Sequence, residues 1–261
     1  MASSEYYRAA QVPARVPQAR QAQPRQQPRG DEMVRYALRL LDSYALVLAL
    51  LVVDYLAFAA WGGAPWGSVV VVLLIGTTLL LAIQISRAGQ IWILLAGLCF
   101  SAGALAAVTN ALVGSANVNG TAFKVVYYLA GGALLLIAAL AILNRIGRYV
   151  VVRLDPLLGA LCVYMMFSIC FAFVFSGVAP LTPQGFFVGH AQASSNEYLF
   201  FSFGMLTTTG GGDLAPAGGV GRTLASIEML LGVCYVALVV ARLAALWVAG
   251  KRPGGRTPAA R

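Results

Sequence analysis

The sequence predicts an all-α membrane protein: six transmembrane helices, with a re-entrant helix and loop between the fifth and the sixth. Three observations carry this expectation. Hydrophobic residues make up 60% of the 261 positions and charged residues only 10%, a balance that belongs to an integral membrane protein rather than a water-soluble globule. Apolar runs over residues 37–61, 68–86, 90–113, 125–144, 154–177 and 219–249 each come near the ~20 residues a helix needs to cross a bilayer. Between the last two lies YLFFSFGMLTTTGGGD, residues 198–213, which is too short to cross and ends in threonines, glycines and an aspartate. Irregular backbone is tolerated at membrane depth only where it is buried in protein or lines a water-filled path. Residues 207–212 are therefore expected to line such a path, and moving an ion is the purpose that fits.

Residues 1–32 are rich in Ala, Arg, Gln and Pro and contain no apolar run, so they are expected to form a disordered tail. No apolar segment of the signal-peptide kind follows closely on its charges. Arg8, Arg15, Arg20, Arg25 and Arg29 offer contacts to anionic lipid headgroups, worth about 1 kcal/mol each at most near the surface, beside the plainer reading of a solvated tail.

Residues 33–148 are expected to form a four-helix transmembrane domain. Its third span carries Ala96, Gly97, Ala102, Gly103 and Ala104, and its fourth Gly131, Gly132 and Ala133; small residues of this kind let helix backbones approach closely in lipid. Asp54 stands well inside the first span, where an ionisable group is a functional candidate by default. A hydrogen bond to a neighbouring hydroxyl or backbone group, or a pairing with Lys124, would satisfy it equally. The fourth span has no arginine ladder, since Arg145 and Arg148 come only at its end. Each gating charge contributes about 2.3 kcal/mol per 100 mV, so strong voltage sensing is not expected.

Residues 149–250 form the second unit, two spans with the re-entrant segment between them, and 251–261 a short tail. The stretch NRIGRYVVVRLDP, residues 144–156, suits a connector at the membrane interface. The N-terminal arginines, Arg87, Arg145, Arg148, Arg153, Lys251 and Arg252 all fall on one side of the membrane. By the positive-inside rule, this predicts a multi-pass cell-membrane protein with both termini cytoplasmic and the loop 177–197 outside. The formal charge of +9 thus reads as topology, not as a nucleic-acid surface. The four cysteines lie in apolar spans without C-x-x-C spacing, and His190 is the single histidine. Neither a zinc site, a disulfide framework nor a resident cofactor is expected. With no carboxylate pair or nucleophile–base set in the spans, an enzyme is not expected either.

An ion leaving water must be given replacement oxygens, and a ring of backbone carbonyls supplies them. Carbonyls point to one side only if backbone conformations alternate, and Gly210 and Gly212 accept positive φ at little steric cost. The Thr208 hydroxyl could add oxygens at the inner end. A helix ending near Thr207 would aim its negative dipole end at the path and favour a cation. Asp213 would concentrate cations at the mouth or hold the loop by a hydrogen bond.

On these residues the chain resembles the potassium channel superfamily, in the form of a bacterial six-span protein with one pore loop, whose filter usually reads TTVGYGD. Thr207 and Thr208 match its threonines, Gly210 and Gly212 its glycines and Asp213 its acid, while Thr209 stands where valine is usual and Gly211 where an aromatic is. The resemblance continues through Pro216, Gly221 and Arg222 to Gly232, where that family often has a gating hinge. It implies a selectivity filter over Thr208, Thr209, Gly210, Gly211 and Gly212, potassium ions at the first four of these, and a filter mouth at Asp213. It further implies a pore helix in which Phe200, Phe201, Phe203 and Thr207 surround the filter. Arg222 and Glu228, in the outer half of the inner helix, are placed to support it by a charge-assisted hydrogen bond that holds loop to helix, while ordinary snorkelling to the interface explains Arg222 as well. One loop cannot enclose a pore, so a homotetramer in the lipid bilayer follows.

Glycine at 211 removes the usual brace and adds backbone freedom worth about 0.5–1 kcal/mol relative to alanine. Thr209 adds a hydroxyl that competes for hydrogen bonds. The expectation is a tetrameric cation channel that conducts potassium with relaxed selectivity through an atypical filter. The alternative is a non-conducting scaffold or sensor with a degenerate pore loop.

Overall fold

The computed structural model describes residues 44–86, 89–113, 118–147, 154–190 and 192–250. Both expected tails, the start of the first span, Arg87 and residues 148–153 of the connector between the two units lie outside the described residues. Among the described residues seven α-helices run in order: α1 (Tyr44–Trp61), α2 (Pro65–Ser86), α3 (Gln90–Val113), α4 (Val118–Ile146), α5 (Leu154–Val178), α6 (Ser195–Leu206) and α7 (Gly219–Gly250), with a 3-10 turn at Ala179–Leu181. All but α6 are long and apolar enough to cross a membrane. At 12 residues, or about 18 Å at 1.5 Å per residue, α6 is too short to cross. The molecule is therefore an all-α, multi-pass membrane protein.

Helices α1 to α4 pack on one another, and α1 and α4 both lie against α5. Between apolar helices in lipid no hydrophobic force selects the partner, so close backbone approach and shape decide. At Gly131 an added Cβ would lie 2.5 Å from the Phe173 ring of α5, so that glycine makes the space Phe173 fills. Phe173 is fully buried and stacks on Phe58 of α1 with ring centroids 4.3 Å apart. Gly103 likewise faces α4, where its Cβ would meet Ala130 at 3.2 Å. Gly97 has open space around it, so the small residues of α3 do not all serve contacts.

The buried residues of α1 include Tyr44, Val47, Leu51, Asp54 and Phe58, a stripe at three- and four-residue spacing. Asp54 falls on that stripe because its carboxylate has a partner inside: Thr78 Oγ1 of α2 donates to Asp54 Oδ2 at 2.7 Å. Of the partners left open by the sequence, the structure shows the hydroxyl, and no ion pair joins Asp54 to Lys124 among the described residues. In α7, by contrast, only 17% of the apolar window is buried. Its inward residues include Gly221, Ala225, Glu228 and Gly232, a single narrow face turned towards α6.

Replacing Thr78 by valine keeps the shape and removes the donor. A buried polar group left without its partner costs about 1–3 kcal/mol, so Thr78→Val should lower the thermal midpoint of the detergent-solubilised protein while Thr78→Ser should not. Equal midpoints for the two variants would show that the bond contributes nothing.

Candidate pore loop

The loop is built on α6, so the start of that helix matters first. Ser194 is its N-cap, in extended conformation, and a reciprocal pair closes the first turn: Glu197 N donates to Ser194 Oγ at 3.3 Å, and Ser194 N donates to Glu197 Oε2 at 2.6 Å. This is the capping box that the spacing S-x-x-E encodes. These bonds from Ser194 hold the Glu197 carboxyl below its usual pKa. Its contribution is therefore present above the ordinary carboxylate range and lost as pH falls through the lowered value. His190 Nδ1 lies 3.4 Å from Glu197 Oε1, tying the preceding loop to the same cap.

At its other end α6 stops at Thr207, whose hydroxyl donates back to Phe203 O at 2.6 Å. From there the backbone alternates: Thr208 has φ 60°, Gly210 95° and Gly212 64°, while Thr209 and Gly211 between them keep ordinary φ. The amides turn towards the helix they have just left. Thr208 N donates to Met205 O at 3.0 Å, and Thr209 N and Gly210 N both donate to Gly204 O, at 2.9 and 3.1 Å. The carbonyl oxygens of Thr208, Thr209 and Gly210 accept no hydrogen bond among the described residues, and residues 207–210 are exposed. Gly204 is where loop and helix touch, since a Cβ there would run into the Gly210 carbonyl. The Thr209 hydroxyl lies 3.0 Å from that of Thr207 and 3.5 Å from Gly204 O, and that of Thr208 donates to Thr207 O at 2.7 Å. Asp213 is exposed just beyond the last glycine.

Of the three phenylalanines expected around the filter, the structure brings Phe201 beneath it. Phe201 is fully buried, and a Cβ on Gly211 would lie 2.6 Å from its ring. Phe203 turns instead to α1, edge-on to Tyr55 at 5.5 Å. Phe200 is 55% exposed, with its ring edge 3.8 Å from where a Cβ on Gly212 would stand. The reason is helical phase: successive residues point about 100° apart, so neighbours on α6 cannot share one target.

Arg222 and Glu228 also part company. Arg222 Nε donates to Pro216 O at 3.1 Å and holds the outgoing loop to the start of α7. Among the described residues Glu228 bonds neither to the loop nor to Arg222; it is fully buried against α6, where Ser202 Oγ lies 2.5 Å from Glu228 Oε1 and 2.6 Å from Ser168 O of α5. This junction of α5, α6 and α7 was not visible in the sequence, although a serine inside FFSFG and another inside FSIC are polar residues in apolar runs. Gly232 lies in the uninterrupted helix α7, where a Cβ would run into the Leu206 carbonyl at the end of α6. The same carbonyl accepts a hydrogen bond from Tyr164 OH at 3.1 Å. Gly232 thus serves close packing at the base of the loop.

Adding one methyl at Gly204 must displace the loop, and overpacking of this kind costs about 1–3 kcal/mol. Gly204→Ala should therefore lower the thermal midpoint, whereas Gly97→Ala, with open space around it, should leave it unchanged or raise it through the roughly 0.8–1 kcal/mol helix preference for alanine. Equal responses at the two sites would contradict the contact between α6 and the loop.

Comparison with known proteins reaches the same part of the chain. Residues 159–248 match the model of a family described as ion channel, a span that takes in most of α5, the whole of α6, the loop and nearly all of α7. No curated protein and no solved structure matches. The match leaves α1 to α4 outside and supports an ion channel as the reading of the pore-loop unit.

Proposed function

We propose that the protein is a homotetrameric cation channel that conducts potassium across the cell membrane, with both termini cytoplasmic. The observation that carries this reading is the alternating backbone of residues 208–212. It commits the amides to α6 and leaves the carbonyls of Thr208, Thr209 and Gly210 without partners on an exposed face. Oxygens freed in this way are what a dehydrated cation requires. The Gly211 oxygen accepts from Leu214 N at 3.0 Å and keeps a second lone pair. The C-terminal end of α6 adds a negative dipole end near Thr207, and Asp213 adds a negative charge at the mouth.

One chain offers one loop, and the loop needs copies to become a ring. The sparsely buried α7 presents the long apolar face with which copies would meet around an axis. The permeant ion is substrate rather than cofactor, and the reading involves no enzymatic step. The N-terminal arginines are placed by it beside the anionic inner leaflet.

The test is the mass of the purified complex together with cation flux after reconstitution into liposomes. A complex of four chains that passes potassium is expected. One or two chains without flux would overturn the proposal, and four chains without flux would favour the scaffold reading.

A further inference from the structure

We propose that Phe201 is the positioning residue of the filter: its ring, anchored in α6, fills the place that a side chain at 211 would otherwise take, so the loop is braced from the helix behind it. This rests on the channel reading above.

Gly211 is itself buried, and a Cβ there would lie 2.6 and 3.0 Å from two atoms of the Phe201 ring and 2.7 Å from Leu214 O. No side chain fits while the Phe201 ring and the Leu214 carbonyl both stay in place. The ring is held from other sides as well. Its centroid lies 5.2 Å from that of Phe175 of α5 and 5.0 Å from that of Phe187 of the outer loop, both edge-on. The outer loop is in turn fastened to the segment that leaves the filter: Val188 N donates to Ala215 O, and Ala217 N to Phe186 O, both at 2.9 Å. The loop thus rests on Gly204 at Gly210 and, at Gly211, on Phe201 with the ring cluster around it. Glycine at 211 is the consequence of this arrangement and not a gap in it, which removes the reason for expecting a looser filter at that position.

The relation is reciprocal and can be read by exchange. Reversal potentials under mixed potassium and sodium would be compared for the natural protein, Phe201→Ala, Gly211→Tyr and the pair together, with assembly size checked for each. Phe201→Ala should lower the potassium-to-sodium permeability ratio by about tenfold, ~1.4 kcal/mol of discrimination, while keeping the assembly. Gly211→Tyr alone should abolish conduction, and the pair should recover selectivity towards the natural value. An unchanged ratio in Phe201→Ala, or no recovery in the pair, would overturn the proposal. If Phe201→Ala does not assemble, Phe201→Leu takes its place.

If the natural protein carries no current, the channel reading falls and the placement is decided by thermal unfolding. Gly211→Ala should lower the midpoint in both backgrounds but by less beside Phe201→Ala, where only the Leu214 carbonyl still stands 2.7 Å from the added Cβ, because residues in contact are non-additive. Equal drops in both backgrounds would overturn it.

Discussion

The Gly204 carbonyl receives two amides from the loop that follows it, Thr209 N and Gly210 N, and the geometry of the whole pore-loop unit depends on that seat. In an ordinary helix end such carbonyls go to water or to a cap. Here the chain doubles back over its own last turn, and the amides spend their hydrogen bonds on the helix. What is left for the other side of the loop is oxygen. Such a fold requires an absent side chain at 204, where loop meets helix, and alternating φ along 208–212.

The seat would be of little use if α6 could shift, and each of its neighbours restrains it. The capping box and His190 hold its first turn. Ser202 joins it to Ser168 of α5 and Glu228 of α7. Tyr164 of α5 binds the Leu206 carbonyl while Gly232 lets α7 approach the same group. Helix α1 completes the enclosure: Tyr55 meets Phe203, and a Cβ on Gly62 would lie 2.7 Å from Ser195 Oγ. Helix α1 thus touches α6 directly, so packing changes in α1 need no connector to reach the loop.

Much of this was legible in the sequence wherever the signal is local. Span lengths, the short aromatic helix and positive φ at Gly210 and Gly212 follow from run length and residue type. Thr208 is left-handed although a β-branched residue rarely adopts positive φ; the bonds from Thr208 N and Thr209 N to α6 override that preference. Asp54 with Thr78 and Ser202 with Glu228 are pairs 24 and 26 residues apart, and no periodicity tells which hydroxyl a buried carboxylate will find. The phenylalanines of α6 were read as a group, whereas helical phase sends each to a different neighbour. Gly211 was read as a missing aromatic because one position at a time was compared with the pattern, while the ring that fills its place stands ten positions earlier in the chain.

The central claim is that residues 208–211 form a cation site. Anything that binds the folded assembly stabilises it by mass action, so the direct measurement is the thermal midpoint of the purified protein as potassium replaces choline at constant ionic strength. The account predicts a midpoint that rises with potassium, rises less with sodium, and loses the rise in Gly204→Ala. The same midpoint in potassium, sodium and choline would contradict it.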